Sequence, residues 1–291
     1  MKLDGRRESS NVDDRRRMSS GAKFGIGGIA GIIIAAVIAY MTGGDPMQAI
    51  SQGVVEQMTK GKTEVVENQR EFTEEEQALA KFSKQILAGT EDVWTEIFKQ
   101  HNATYEYPKM VLYTDAVSTA CGQGSAQTGP FYCSGDQSLY IDLSFFSTMR
   151  QQLGADGDLA YAYVIAHEVG HHVEYLTGVL QEAHQQMSRL SEADANRISV
   201  RLELLADFYA GVWAHHDNKM FGSLEDGDIE NAIRCAEVIG DDYLQKKARG
   251  YVVSESFTHG TSAQRMKWFK LGLQTGDISK GTTFQCSDAE L

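Results

Sequence analysis

The run His167-Glu168-Val169-Gly170-His171 sets two imidazoles four residues apart, with a carboxylate beside the first. On a helix, residues four apart project from one face, so both rings can reach one ion. Glu168, one step round, is placed to take a proton from a water on that ion. Two His ligands and a Glu base are the equipment of metal-assisted amide hydrolysis. A helix can also carry this pentapeptide with ordinary buried or surface histidines, so the surroundings matter. Leu159, Ala160, Ala162, Val164, Ile165 and Ala166 precede it, as expected for a helix lining a core. Gly170 costs a helix about 1 kcal/mol relative to Ala. A glycine there makes sense where a metal or another backbone must approach closely.

A catalytic zinc needs a third protein ligand and an open fourth position. Positions 174 and 177 are Glu and Thr, which excludes the HExxHxxGxxH pattern. The remaining solution is a carboxylate from a later helix. Glu203 and Asp207 lie four apart in the apolar run Leu202 to Tyr209. Glu203 is the expected ligand, and Asp207 the acceptor for the free ring N–H of a ligand histidine. Glu192 competes, but its surroundings are polar and Asn196 stands four residues on. Buried carboxylates need a partner, and the alternative to a metal is an ion pair with Arg197 or Arg201. Cobalt or manganese would also suit such a ligand set.

The negative oxygen formed during hydrolysis wants a further donor. His259 and Arg265, in Thr258-His-Gly-Thr-Ser-Ala-Gln-Arg265, are the candidates. His259 precedes a glycine at an expected loop-to-helix junction. Arg265 could instead pair with a cleft carboxylate. His172 points about 100° away from His171 on a helix and is read as a surface or supporting residue.

These residues share a resemblance that runs nearly end to end. Its marks are Gly5-Arg-Arg-Glu-Ser-Ser-Asn-Val-Asp-Asp-Arg15, Cys121-Gly-Gln-Gly-Ser-Ala126, Gly129-Pro-Phe-Tyr-Cys133 and Leu139-Tyr-Ile-Asp142. Then follow the HEVGHH of 167–172, Ser199-Val-Arg-Leu-Glu203-Leu-Leu-Ala-Asp207 with Ala210-Gly-Val-Trp213, and His259-Gly-Thr-Ser-Ala-Gln-Arg265. In these the chain resembles the bacterial family of neutral zinc metallopeptidases with a membrane-anchored N-terminus. The resemblance implies a gluzincin-like fold with one zinc held by His167, His171 and Glu203. It supplies no substrate. Phe208 stands where many members carry Cys, a position with no expected ligand role.

The elements that position these residues are legible in outline. Thr73 and Glu76 form a capping box that opens a helix to about residue 88, ended by Gly89. A second helix is expected over 91–101, a strand over 110–114, and a hairpin over 131–142 with its turn at Ser134-Gly-Asp136. From about Leu143 onward the pattern is helical. Helices, a small sheet, then helices give an α+β class. A strand ahead of the HExxH helix could accept an extended peptide as an added strand. Segment 139–142 is the first candidate for that edge and 110–114 the second.

The chain has 291 residues, 42% of them hydrophobic, enough for one sizeable core. The net charge of −13 is uneven, since residues 1–41 carry seven Lys and Arg against four Asp and Glu. An acidic remainder argues against a nucleic-acid partner. Residues 24–41 are uncharged and apolar, and at about 1.5 Å per residue just long enough to cross a bilayer. Basic residues precede the run and none follows at once, so the N-terminus is expected in the cytoplasm. A cleaved signal peptide is disfavoured by the long basic region. Gly27 and Gly31 form a GxxxG spacing that would permit a homodimer through the anchor. Four cysteines suggest two disulfides, Cys121–Cys133 and Cys235–Cys286; the absence of CxxC argues against a structural zinc.

The expectation is therefore a mostly helical, gluzincin-like α+β metallopeptidase domain with a small sheet and one N-terminal transmembrane helix. It divides into a basic cytoplasmic segment (1–23), an anchor helix (24–41), a linker (42–72) and a catalytic domain (73–291). The placement is the inner membrane with an extracytoplasmic catalytic domain. The activity is zinc-dependent endopeptidase cleavage of a peptide or protein, with Glu168 as base and His259 on the oxyanion. The alternatives are a silent zinc-binding scaffold or a hydrolase of a non-peptide amide.

Overall fold

The computed structural model describes residues 1–19, 66–67 and 71–291. The chain forms two units, Met1–Arg15 with Glu71–Leu291, and Arg16–Arg70. The first strand of the larger unit is β1 (Val12–Asp14). The described part of the smaller one includes β2 (Met18–Ser19) and β3 (Val66–Glu67), an antiparallel pair.

Helix α1 (Glu74–Gln100) opens on the expected capping box. The Thr73 hydroxyl accepts from the Glu76 N–H at 3.1 Å, and the Glu76 carboxylate accepts from the Thr73 N–H at 2.8 Å. Three glutamates in the first turn suit the positive end of the helix dipole. The expected stop at Gly89 does not occur, and one helix replaces two. A Cβ on Gly89 would sit 2.6 Å from Arg6 Nη2 and 2.8 Å from Asp217 Oδ1. The glycine makes room for the Arg6–Asp217 ion pair (2.6 Å).

Next come β4 (Lys109–Tyr113), β5 (Ala116–Thr119), β6 (Gly122–Ser125), β7 (Phe131–Cys133) and β8 (Ser138–Asp142). β5 and β6 pair with each other. The main sheet has the order β1-β4-β8-β7, with β1, β4 and β8 parallel and β7 antiparallel to β8. Both segments expected to offer a free edge are therefore interior strands. Among the described residues the edges are β1 and β7.

The rest is helical: α2 (Ser144–Thr148), α3 (Asp158–Leu176), α4 (Val179–Met187), α5 (Glu192–Phe221), α6 (Asp228–Val238), α7 (Asp241–Arg249) and α8 (Ser262–Thr275). α5 runs from a Ser191 cap to Gly222 in the left-handed conformation. Trp94, Phe146, Trp213 and Phe269 are buried in the core that α1, α2, α5 and α8 share. Two close approaches bring the site helices together. A Cβ on Gly170 of α3 would lie 2.9 Å from the Ala206 backbone of α5, so the glycine admits another backbone. Gly211 and Gly272 do the same where α5 crosses α8, with virtual Cβ atoms 2.2 and 2.1 Å from the facing carbonyls of Phe269 and Phe208.

The N-terminal segment is built into this unit. The Met1 ammonium lies 3.1 Å from Asp158 and 3.2 Å from both Glu225 and Asp228. Ser9 and Asn11 donate to the buried Glu91 carboxylate at 2.5 and 2.8 Å. Val12–Asp14 then pairs with Met110, Val111 and Leu112.

The architecture is mostly helical α+β with small sheets, and the transmembrane part of the expectation is corrected. Among the described residues no helix is long and apolar enough to cross a membrane. Residues 24–41, with the membrane contact and homodimer expected through them, lie outside the described residues. The single-pass inner-membrane placement also meets a topological obstacle. One crossing at 24–41 would put residues 1–15 and 71–291 on opposite sides, whereas β1 and β4 are hydrogen-bonded neighbours.

Candidate metal centre

Packing of α3 on α5 brings His167, His171 and Glu203 together, with one ligand atom from each within 4.8 Å of the others. His167 Nε2 is 3.2 Å from Glu203 Oε2, and His171 Nε2 is 3.6 Å from Glu203 Oε1. The two rings are nearly perpendicular, centroids 4.8 Å apart.

Each imidazole is gripped from behind by a carboxylate. His167 Nδ1 is 2.8 Å from Asp207 Oδ1, and His171 Nδ1 is 2.9 Å from Glu174 Oε2. An ionised carboxylate only accepts, so the Nδ1 atoms carry hydrogens; in the metal-free protein the protonated Nε2 atoms donate to Glu203 as well, and a metal would take the place of those Nε2 hydrogens. Burial works against charge on His167, but Asp207 and Glu203 outweigh it and lift its pKa to about 9. Burial is likewise outweighed at His171, where Glu174 and Glu203 raise the pKa well above the usual value. Glu203 is partly buried, which opposes ionisation. The charge on His259 and the bonds from both histidines nevertheless hold it well below the carboxylate range.

The two supporting carboxylates differ. Asp207 takes a two-point bond from Arg265 (Nε 2.8 Å, Nη2 2.9 Å) and a further one from the Tyr163 hydroxyl. Burial alone would raise it; Arg265 and His167 bring it down to about 2. The Glu174 carboxylate has His171 as its only hydrogen-bonding partner among the described residues, and Oε1 is buried without one. Burial dominates there and lifts its pKa to about 6. Glu168 is also buried, which raises its pKa against the pull of His167 and His171.

His259 sits in the loop before α8, its side chain about half exposed (52%). Asp241, the first residue of α7, organises this loop. Its Oδ2 accepts from the N–H groups of Thr258, His259 and Gly260 at 2.8, 2.7 and 3.0 Å, and Oδ1 is 3.3 Å from His259 Nδ1. Burial opposes charge on His259, while Glu203 and Asp241 raise its pKa.

A family model described as "Putative neutral zinc metallopeptidase" matches residues 1–284. The chain belongs to that family. It is 44% identical over 297 aligned positions to the uncharacterized protein YpfJ of Escherichia coli K12, spanning 98% of this chain and 99% of YpfJ. It is 41% identical over 194 positions to the uncharacterized protein Rv2575 of Mycobacterium tuberculosis H37Rv, spanning 63% and 64% of the two chains. No solved structure matches.

The structure brings His167, Glu168, His171, Glu203, Asp207 and Arg265 together, with His167, Glu168, Asp207 and Arg265 buried, His171 and Glu203 partly buried, and His259 at the open side. Arg265 is directed at Asp207 rather than at open space. The alternative partners go elsewhere, Arg197 to Asp194 and Arg201 to Asp288 and the carbonyls of Thr283 and Cys286. Glu192 is exposed at the start of α5. The Cys121–Cys133 disulfide is present. The expected Cys235–Cys286 bridge is corrected, since both are free thiols, Cys235 buried in the core between α6 and its neighbours. His172 is fully buried rather than at the surface.

Three participants were missed from sequence. Glu174 had a readable signal, a carboxylate three residues from His171 on the same helix face. Tyr163 had one as well, four residues before His167 on the same helix face, although its acceptor Asp207 lies 44 residues on; Asp241 had none, because its partner lies 18 residues away.

Proposed function

We propose that this chain is a zinc-dependent endopeptidase that cleaves peptides bound in extended form. The observation that carries the reading is the convergence of two Nε2 atoms on Glu203 while each Nδ1 is held by a carboxylate. The donor set fits a catalytic zinc, two imidazoles and one carboxylate with a fourth position left over. Zinc held there would lower the pKa of a water and polarise the scissile carbonyl.

The chain's own residues do the rest. Asp207 and Glu174 keep both ring hydrogens on Nδ1, which leaves the Nε2 lone pairs for the ion. Glu168 takes the proton from the attacking water and passes it to the departing amine. Its burial favours this, because a raised carboxylate pKa moves the base toward neutral pH, where it can both accept and return a proton. His259, held by Asp241 and half exposed, donates to the oxygen that becomes negative. The edge of β7 offers backbone groups to an extended peptide.

The test uses the full chain and its Glu168→Gln variant, both assayed for bound zinc and for cleavage of a diverse peptide mixture by mass spectrometry. Expected are equal zinc contents and a loss of at least about 100-fold in cleavage by the variant. Full cleavage by the variant would remove Glu168 from the mechanism, and a zinc-loaded wild type that cleaves nothing would remove the peptidase reading.

A further inference from the structure

β7 is three residues long and, among the described residues, bonded on one side only, to β8. A short edge strand is weakly held by its ladder alone. Here every side chain of the strand is fastened to a different place. Phe131 stacks on Tyr140 of β8, centroids 5.0 Å apart and planes within 10°. Cys133 is bonded to Cys121. Tyr132 reaches across to α3, its hydroxyl 2.9 Å from His172 Nδ1.

His172 is the residue after the proposed ligand His171, and its ring has no solvent exposure. Its other nitrogen, Nε2, is 2.7 Å from the carbonyl oxygen of Glu106, in the segment that leads into β4. A carbonyl only accepts, so Nε2 carries the hydrogen and Nδ1 accepts from the Tyr132 hydroxyl. One neutral imidazole thus ties three parts together: the site helix, the approach to β4 and the sheet edge. Apolar side chains would fill this space without desolvating three polar groups. What the polar pair adds is direction, because a hydrogen bond fixes distance and angle where packing fixes only proximity.

We propose that Tyr132 and His172 are positioning residues for substrate: they set edge strand β7 against the metal-binding helix, so that a peptide pairing with β7 is presented at His167, His171 and Glu203. This rests on the peptidase reading above. Neither residue touches the reacting atoms, so their loss should weaken productive peptide binding and spare the chemical step.

The test is Tyr132→Phe, which keeps the ring and removes the hydroxyl, in the zinc-loaded full chain. For a peptide long enough to lie along β7, KM should rise roughly 2- to 10-fold, the worth of one neutral hydrogen bond. Neither kcat nor zinc content should change. His172→Gln should move KM in the same direction. A fall in kcat with KM constant, or no change in either, overturns the proposal. Amide hydrogen exchange over residues 131–133 gives a readout that needs no turnover, and it should speed up in Tyr132→Phe; unchanged exchange also overturns the proposal. A wild type that cleaves nothing would end the substrate role together with the peptidase reading, and exchange would still report whether the pair holds the strand.

Discussion

The two histidines of the proposed centre are supported in opposite ways. Behind His167 stands Asp207, and behind Asp207 stand Arg265 and Tyr163, contributed by α5, α8 and α3. Behind His171 stands Glu174, from the same helix, with one oxygen unpartnered. Both carboxylates are fully buried, yet one sits at about 2 and the other at about 6. A permanent cation makes the difference. Arg265 cannot give up its proton, so Asp207 stays ionised whatever happens to His167. Glu174 leans on a group that must become neutral when it binds a metal. The first side is a structural joint among three helices, and the second is a local support.

The largest test of that contrast is Arg265→Met. It would leave Asp207 buried with His167 and Tyr163 as its remaining partners. Breaking a buried, hydrogen-bonded ion pair from one side costs about 3–5 kcal/mol. Denaturant unfolding of the metal-free chain should show a loss of that size. A change under about 1 kcal/mol would mean that the joint is not held by charge.

The contrast also marks what sequence reasoning could reach. His167, His171, Glu203 and Asp207 were legible because helical spacing is a local signal. For Arg265 the sequence offers either the oxyanion or pairing with a cleft carboxylate, and which of the two holds depends on the crossing of α5 and α8 at Gly211 and Gly272. Glu174 was used only to exclude one ligand spacing, although its own place on the helix predicted a contact with His171. The β7–β8 hairpin and the strand at 109–113 followed from alternation and turn residues. β1 did not, since Val-Asp-Asp shows no apolar alternation and its parallel partner lies nearly a hundred residues on. That omission is what made a single membrane crossing look consistent. An even number of cysteines was likewise too little to assign a second bridge, which needs Cα atoms within about 7 Å.

A smaller effect is expected on the other side of the centre. Glu174→Gln keeps the shape and can still accept from His171 Nδ1, so stability should change by under about 1 kcal/mol. Zinc affinity should fall about 10- to 100-fold, because a neutral amide does less than a carboxylate to raise the basicity of Nε2. Competition with a calibrated chelator measures it. If Glu174→Gln instead unfolds the chain while leaving zinc affinity intact, the two supports are the same kind of object.

The smallest effect separates the carboxylates by the sign of their pH dependence. The folded pKa of Asp207 is lowered, so its contribution to stability is complete above the unfolded value near 3.8 and is lost as pH falls through about 2. The folded pKa of Glu174 is raised, so its contribution is complete below the unfolded value near 4.5 and is lost as pH rises through about 6. Between pH 5 and 7 Asp207 is silent, while Glu174 should make the metal-free chain less stable as pH rises, by on the order of 1 kcal/mol. In Glu174→Gln that component should vanish, because an amide does not titrate. The quantity to compare is the slope of unfolding free energy against pH in the two chains. Identical slopes would mean that Glu174 titrates near its unfolded value, and that burial without a cation is not what distinguishes it from Asp207.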